Sequence, residues 1–476
     1  MATIQDFSSL TIGLSVNPAS QANFSVSMLM VDSEDVPIDK RYIITTRDSK
    51  TTDLTAASTQ LGWADNLWGQ NYNPALAYIG RRVGAASSPY IVFGSPGTVI
   101  ATWAAVTTGT LRITDGTNDD DLTALDFSSV VDMDDVAAVI ETALQAIAVP
   151  NITGLDTATC EVDGFDRIII KNSTTGAAAD GITAAAEGTG IDLNGTDYLG
   201  TSFGQDGLDV ESYTTAANLV FALDNTPFVL NEVGRVTAEQ VAFATGMNSL
   251  KKFLLLVVND SAAKDGALST DTGYQLQALG YKRCFVMYSE HTTQYPDAAL
   301  GGEVFPQPEG SVSFALTGLA GVSESGLAAD GVTVKPLTAG ERIALEAKGY
   351  DYLVKPTTVT HFTNGLTPGA TEARIMVLKM FTEAKVDEDG YAYLLANPVV
   401  TFSDDDIQAF KGIIENWLQV AEDRKGLEPG WSIEMPEAAD FTAAQKATHI
   451  LTLEDLGDME TQRSVNKVTM SLSWSV

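Results

Sequence analysis

Over the last ten residues of the chain, hydrophobic and polar positions alternate without a break. Val468, Met470, Leu472, Trp474 and Val476 fall on one side of an extended chain. Lys467, Thr469, Ser471, Ser473 and Ser475 fall on the other. Side chains of a strand point alternately to opposite faces, so the pattern predicts a half-buried strand. It contains no Pro, no Gly and a single charge, Lys467, at its start. An edge left unblunted in this way pairs with whatever comes near, so this strand is expected to be paired. The opening of the chain repeats the design. Leu10, Ile12, Leu14 and Val16 alternate with Thr11, Gly13 and Ser15, and a polar segment at 17–23 follows. Both ends read as sticky strands attached to a body.

Between them the pattern changes period several times. Residues 24–31 form an apolar run, an acidic turn holds Asp32, Glu34 and Asp35, and 41–46 is a second run. Residues 61–78 read as helical and aromatic, with Trp63, Leu67, Trp68 and Tyr72 about a turn apart and Pro74 as an interruption. A short strand at 90–93 ends in Gly94, Ser95, Pro96 and Gly97. The texture then shifts to Ala, Thr, Gly and Asp. Here 110–114 reads as a strand, 115–121 as a turn, 132–147 as an amphipathic helix, and 160–162 with 167–171 as a hairpin about Asp163 and Gly164. The shift marks an inserted domain with its own elements.

Strand and helix alternate after it. The strands are 228–233, 253–258 and 283–288; 253–258 is apolar throughout, as in a strand covered on both faces, and 283–288 is the next buried strand. The helices are 237–250, with Thr237 as its cap, and 270–279, ended by Gly280. Such alternation implies a parallel or mixed sheet between helices. Farther on, 311–316 reads as a strand, Thr338 and Glu341 form a capping box, 350–354 is a strand and 372–384 a helix. The strongest helical pattern starts at Ser403 with Asp404, Asp405 and Asp406 in its first turn. It carries Ile407, Phe410, Ile414, Trp417, Leu418 and Ala421 on one stripe and closes with Arg424, Lys425 and Gly426. Residues 432–435 and 449–453 read as strands leading to the terminal one.

Composition sharpens this picture in one respect. With 476 residues the chain exceeds a single core, and 45% hydrophobic with 19% charged residues is an ordinary globular balance. The net charge of −34 is the outlying value. It argues against nucleic-acid binding, since neutralising phosphates takes Lys and Arg. Between 101 and 210 there are 19 acidic and 3 basic residues, a net of −16, which reads as a solvated face. Cys160 and Cys284 lie too far apart in sequence to suggest a disulfide framework or metal spacing. No apolar run reaches the length of a membrane span, and 1–6 lacks a signal-peptide pattern, so a soluble, cytoplasmically made chain is expected.

No catalytic constellation stands out. A phosphate cradle, a dinucleotide fingerprint and a nucleophile elbow are all missing; 321–326 contains Ser323 without the G-x-S-x-G frame. His291, His361 and His449 have no second His or Cys at ligand spacing. The acidic stretches 115–121 and 387–390 do not follow a calcium-loop pattern and read as solvated turns. Neither an enzyme nor a cofactor is indicated.

The α/β region and the C-terminal third resemble the tail sheath proteins of contractile phages, closest to a divergent branch of that family. The residues that carry the likeness are Tyr295-Pro-Asp-Ala-Ala-Leu300, Gly310-Ser311 with Phe314, Leu316-Thr-Gly-Leu-Ala-Gly-Val322 and Gly349-Tyr350-Asp-Tyr352. In the insert they are Gly109-Thr-Leu-Arg-Ile113, Leu125-Asp-Phe-Ser128, Val136-Ala-Ala-Val-Ile140 and Ser173-Thr-Thr-Gly-Ala177. Their order over most of the chain is the signal. Phe314 stands where the family usually has Trp, and 451–465 is more acidic than that pattern.

The resemblance implies an α/β and α+β multidomain protein. An α/β sheath core would carry an inserted β-rich domain and a C-terminal α+β domain with extended terminal arms. The expected divisions are an N-terminal arm at 1–23, core at 24–100 and 209–335, an outer-face insert at 101–208, a C-terminal assembly domain at 336–462 and an arm strand at 463–476. Subunits would form rings or a helix around a tail tube protein, between baseplate and tail terminator proteins, in a virion tail assembled in the host cytoplasm. No nucleic acid, membrane or cofactor takes part.

Each subunit is implied to donate its arms to neighbours by β-augmentation, and contraction would drive tube ejection without nucleotide hydrolysis. The N-arm residues are Leu10, Ile12, Leu14 and Val16; the C-arm residues are Val468, Met470, Leu472, Trp474 and Val476; the acceptor strand holds Leu451 and Leu453. Burying the five C-arm side chains contributes on the order of 8–15 kcal/mol as an upper bound. Lys411, Arg424 and Lys425 are the candidates for facing the tube. The competing readings are an adhesin or receptor-binding surface protein, suggested by the Ala/Thr/Gly/Asp-rich insert, and a hydrolase centred on one of the three histidines. Two terminal strands folded back onto their own chain, with no foreign backbone beside them, would overturn the assembly reading and leave an unassigned acidic α/β protein.

Overall fold

The computed structural model describes residues 11–14, 23–32, 36–38, 40–93, 99–163, 167–176, 181–185, 190–194, 197–200, 202–328, 330–396, 404–427, 429, 432–433, 467–468 and 471–474. Two compact units divide the chain. One comprises 1–31, 44–80 and 217–476, and the other 32–43 and 81–216.

The chain opens with β1 (Thr11–Leu14), β2 (Asn23–Val31) and β3 (Tyr42–Thr45), followed by α1 (Lys50–Asp53), α2 (Thr59–Trp68) and β4 (Ala77–Arg81). The helix expected over 61–78 therefore ends at Trp68. Gly69 and Pro74 break it, and Ala77–Arg81 is a buried strand instead.

The second unit holds β5 (Tyr90–Phe93), α3 (Ile100–Ala104), β6 (Gly109–Thr114), β7 (Asp119–Leu125), α4 (Met133–Gln145), β8 (Thr159–Val162), β9 (Ile168–Lys171), β10 (Thr183–Ala185), β11 (Ile191–Asp192) and β12 (Ser202–Gln205). They build two small sheets, one in the order β12-β5-β9-β8 and one in the order β10-β6-β11 with β7 also paired to β6. Asp132 caps α4 by accepting from the Asp135 amide, and Val136, Ala137, Ile140 and Leu144 point inward as the period predicted. Trp103 is fully buried, 5.1 Å from the Phe127 ring and 5.3 Å from Tyr198. The turn expected at 115–121 is shorter, because Asp119–Leu125 pairs antiparallel with β6.

The other unit is built on α5 (Tyr213–Leu223, from Ala217 onward), β13 (Pro227–Glu232), α6 (Thr237–Ser249), β14 (Phe253–Val258), α7 (Thr272–Ala278), β15 (Cys284–Tyr288), α8 (Pro296–Val304), α9 (Ala339–Ala347), β16 (Asp351–Val354), β17 (His361–Phe362), α10 (Ala373–Ala396), α11 (Asp404–Asp423), β18 (Ser432–Ile433), β19 (Lys467–Val468) and β20 (Ser471–Trp474). Its main sheet runs β17-β16-β15-β14-β13-β2-β4-β3. β2 pairs parallel with β13, and the parallel ladder continues through β14 and β15 to β16; β17 is antiparallel to β16. Every residue of β13, β14 and β15 is buried, which is why β14 and β15 read as unbroken apolar runs, while β13 ends in the buried Asn231 and Glu232.

Beneath this sheet, all nine residues of α8 are buried. A helix can sink that deep when its faces are small. A Cβ on Gly302 would stand 1.9 Å from the Leu67 carbonyl oxygen, so glycine there lets α8 press directly on α2. The conspicuous segment at 295–300 is thus a packing element, with Pro296 starting the helix.

Three local expectations are corrected. Residues 311–316 form a loop with one bridge, Ala315 to Phe362, where a strand was expected. Thr237 is the first helical residue of α6 and its side chain caps nothing; the cap position is Val236. Residues 387–390 lie inside α10 and make no turn. The capping box at Thr338 and Glu341 forms as expected. Among the described residues, no helix is long and apolar enough to cross a membrane.

Candidate functional site

The two terminal strands meet. β1 pairs parallel with β20 in the register Thr11 to Ser471, Ile12 to Leu472, Gly13 to Ser473 and Leu14 to Trp474. β18 pairs parallel with β19, Ser432 to Lys467 and Ile433 to Val468. The register sets positions 12 and 14, apolar in sequence, beside positions 472 and 474, which are apolar as well. The polar or small positions 11 and 13 likewise meet 471 and 473. β1 also runs beside α10. Of the predicted arm residues, Ile12 and Leu14 lie in β1, Val468 in β19, and Leu472 and Trp474 in β20. Leu10, Val16, Met470, Val476 and the acceptor positions Leu451 and Leu453 lie outside the described residues, as does Ser403. Within this chain the two ends pair with each other, the arrangement expected to overturn the assembly reading, so the terminal strands by themselves give no support to donation between copies.

The helix beside β1, α10, packs in turn on α11. Ile414, Leu418 and Ala421 on α11 bury against the core that holds Ile375, Leu378 and Phe381 of α10. Phe381 meets the Trp417 ring edge-on at 5.6 Å, and Tyr393 meets Phe410 at 5.0 Å. The Trp417 indole N–H donates to Asp389 at 2.7 Å. Asp387, expected in a solvated turn, is driven by burial to a pKa of about 6, partly offset by Lys251 at 3.4 Å. Leu378 is clamped between two glycines: a Cβ on Gly310 would lie 2.4 Å from its Cβ, and one on Gly426 1.9 Å from its Cδ2.

The basic end of α11 is partly committed to this packing. Arg424 pairs with Glu309 at 2.8 Å and its guanidinium lies 4.7 Å from the centre of the Phe381 ring. Lys411 is 3.7 Å from Glu415, one turn along the helix. Lys425 is exposed and left-handed, with φ of 58°, and its carbonyl accepts from Arg374.

Where doubly wound sheets bind ligands, outside the strand ends at the point where the winding reverses, this chain places its own polar groups. The reversal falls between β2 and β13. At the end of β13 the buried Glu232 accepts from Gln240 Nε2 at 2.6 Å and from the Arg235 amide at 3.0 Å, while burial pushes its pKa up. Arg235, itself at φ 52°, donates to the carbonyls of His291 at 2.7 Å and Gln294 at 3.2 Å. His291 Nε2 is 2.8 Å from the Glu324 carbonyl and His361 Nδ1 is 2.9 Å from that of Phe362. Both described histidines thus bond backbone, and His449 lies outside the described residues.

The Tyr350 element is a buttress of the same kind. The Tyr350 hydroxyl donates to Asp271 at 2.9 Å and accepts from the Gly273 amide at 2.8 Å, and burial raises its pKa. A Cβ on Gly273 would lie 2.3 Å from that ring. Lys348 reaches Asp271 at 2.8 Å, and Asp351 accepts from the Thr363 amide at 2.9 Å and its hydroxyl at 2.6 Å. The family resemblance marked Gly349 to Tyr352; the Arg235 strap was not visible, since nothing local announces a left-handed arginine.

In the second unit each of the three cations between 101 and 210 is paired within the segment. Arg112 grips Asp121 at 2.6 and 2.8 Å, Arg167 grips Asp163 at 2.9 and 2.7 Å, and Lys171 meets Glu161. Asp115 accepts from the amides of Thr117 at 2.8 Å and Asn118 at 2.6 Å. Its bonds with the Asn118 side chain and these amides hold its pKa below the usual carboxylate range. The buried Asp120 accepts from the Ile152 amide at 2.8 Å.

Residues 87–211 match the family model described as the E217 tail sheath protein gp31, insert domain. Over this stretch the chain is similar to the insert domain of a phage tail sheath protein, and the match covers strands β5 to β12 with α3 and α4. No curated protein matches the chain. Among solved structures, a sheath tail protein of Desulfitobacterium hafniense aligns at 10% identity over 86% of this chain and 88% of its own, with a TM-score of 0.39. One of Listeria innocua aligns at 10% over 85% and 86%, with a TM-score of 0.42.

Proposed function

We propose that the chain is a structural, non-enzymatic subunit of a contractile phage tail sheath. The match of 87–211 to a sheath insert domain carries this reading. Subunits polymerise as rings or a helix around a tail tube protein, between baseplate and tail terminator proteins, in a tail assembled in the host cytoplasm. The 101–208 segment is the outer-face insert. The core spans 24–100 and 209–335, the C-terminal assembly domain 336–462, and the arms 1–23 and 463–476. Neighbouring copies exchange terminal strands, which keeps them linked while the bodies repack on contraction and the tube is driven out without nucleotide. Lys411, Arg424 and Lys425 are the tube-facing candidates, with Arg424 oriented by Glu309. The paired cations of 101–210 support a solvated role for the insert, because they leave its remaining carboxylates to keep a crowded lattice soluble.

Negative-stain microscopy of the purified full chain tests this. Tubes or stacked rings are expected. A chain lacking 467–476 is expected to stay folded by circular dichroism and to form none. Discrete particles from the full chain would overturn the sheath reading, and normal tubes from the truncated chain would remove the arm's role.

A further inference from the structure

The pairing of β1 with β20 raises a question that the exchange reading leaves open: what the two strands do before a neighbour arrives. Four consecutive register pairs join them, apolar positions 12 and 14 to apolar 472 and 474. They form a two-stranded sheet of their own, separate from the eight-stranded one. A two-stranded ribbon is a weak structure in water, even with helix α10 beside one strand. Eight residues, 15–22, separate β1 from β2 and span at most ~27 Å fully extended, whereas β20 follows β19 by two residues and β19 is paired to β18, so β1 is the strand with reach. What pairs within a chain in a given register pairs between identical chains in the same register when the connections allow it.

We propose that β1–β20 is a closed form that opens by exchange. In a free subunit the two ends cover each other's edges. In the polymer β1 of one copy takes the same register on β20 of another. The occupant of each strand edge is therefore a second copy of this chain, and the ribbon doubles as a guard against premature polymerisation, because both sticky edges are covered until a growing lattice offers the same pairs in a better-packed setting. This rests on the strand-exchange reading above and adds to it the closed state and the register.

Cysteine pairs test both halves separately. Cys160 and Cys284 are buried, and Thr11 and Ser471 are register partners with small polar side chains. Neighbouring strands bring Cα atoms within disulfide range. In a dilute solution of the full chain carrying both Thr11→Cys and Ser471→Cys, mild oxidation is expected to give an intrachain disulfide in most molecules. It should abolish tube formation, and reductant should restore it. In tubes grown from an equal mixture of T11C chains and S471C chains, oxidation is expected to give interchain dimers of one chain of each kind. Reduced samples of all three variants, viewed by microscopy, verify that the substitutions themselves permit assembly.

An interchain disulfide in tubes without any intrachain disulfide in free chains would overturn the closed form and leave strand exchange standing. An intrachain disulfide that persists inside normal tubes, with no interchain product, would overturn the exchange as well, while the tubes themselves keep the sheath reading. No disulfide in either sample would overturn the register.

Discussion

The centre of the large sheet and the two ends of the chain are both built from strands, yet they are held by different means. β14 and β15 are buried on every residue, each has a parallel neighbour on both sides, and helices close over them. β1 and β20 hold one another through four register pairs in a ribbon separate from that sheet. A strand in the centre is fixed by its surroundings, so it has one place to go. A strand at the end is fixed by its partner, and an identical chain offers that partner again. If copies exchange these strands as proposed, the difference lets one chain keep a fixed centre while its ends serve as links.

The comparison breaks most sharply where the centre is weakened. Phe285 on β15 is fully buried, 5.3 Å from the Phe314 ring and 5.4 Å from Phe362, both edge-on. Phe285→Ala removes the ring and leaves a cavity that a closely packed core fills poorly, a loss of about 3–5 kcal/mol. Denaturant unfolding of the free chain is expected to show it as a lower midpoint with the slope unchanged. A loss below about 1 kcal/mol would mean that the centre is no better fixed than the ends.

A second difference is electrostatic. Asp297 sits in α8, wholly buried, accepting from the Trp63 indole at 3.3 Å. Burial pushes its pKa from 3.8 to about 6, against a smaller pull from Arg235. The folded chain therefore binds this proton more tightly than the unfolded one. Stability from this group is present below pH ~4, falls as pH rises to about 6, and is flat above that, with a total of at most about 3 kcal/mol. Asp297→Asn keeps an acceptor for Trp63 and removes the titration. Its unfolding free energy is expected to exceed that of the parent at pH 7.5 and to match it near pH 4. Parallel pH profiles for the two proteins would refute the assignment.

These cases show which layers of the fold were legible. The expected strands at 253–258 and 283–288 match β14 and β15 because burial on both faces leaves its mark on the local sequence, and of the alternation at 467–476 the described residues 467–468 and 471–474 are extended. The capping box at Thr338 was legible because both partners lie within one turn. Ala77–Arg81 was not: aromatic spacing from Trp63 to Tyr72 mimics a helical stripe, and the strand's place beside β2 is decided by residues far away in sequence. Asp387–Gly390 failed for the opposite reason, since acidic residues and a glycine suggest a turn while packing against α11 draws them into a long helix. The alternation at the ends showed that those strands must be paired and was silent on the partner. The likeness of 101–208 to a sheath insert came from scattered motifs, and those motifs turn out to be packing residues such as Phe127 and Ile140.

The smallest expected effect concerns the basic end of α11, where a link to the body lies beside cations proposed to meet the tube. Arg424 is engaged with Glu309 and Phe381, so Arg424→Glu sets like charges against each other and is expected to lower stability by about 1 kcal/mol, as for a partly exposed ion pair with a cation–π contact. Lys425 is exposed and Lys411 leans on an exposed glutamate one turn away, so Lys411→Glu and Lys425→Glu together are expected to move stability by less than about 0.5 kcal/mol. If this end of the helix faces the tube, the lysine pair lowers co-sedimentation with purified tube, most at low salt, while the melting temperature holds. If all three reversals leave docking unchanged and Arg424→Glu still destabilises the chain, the cations serve the hairpin alone, and the tube is met by another surface.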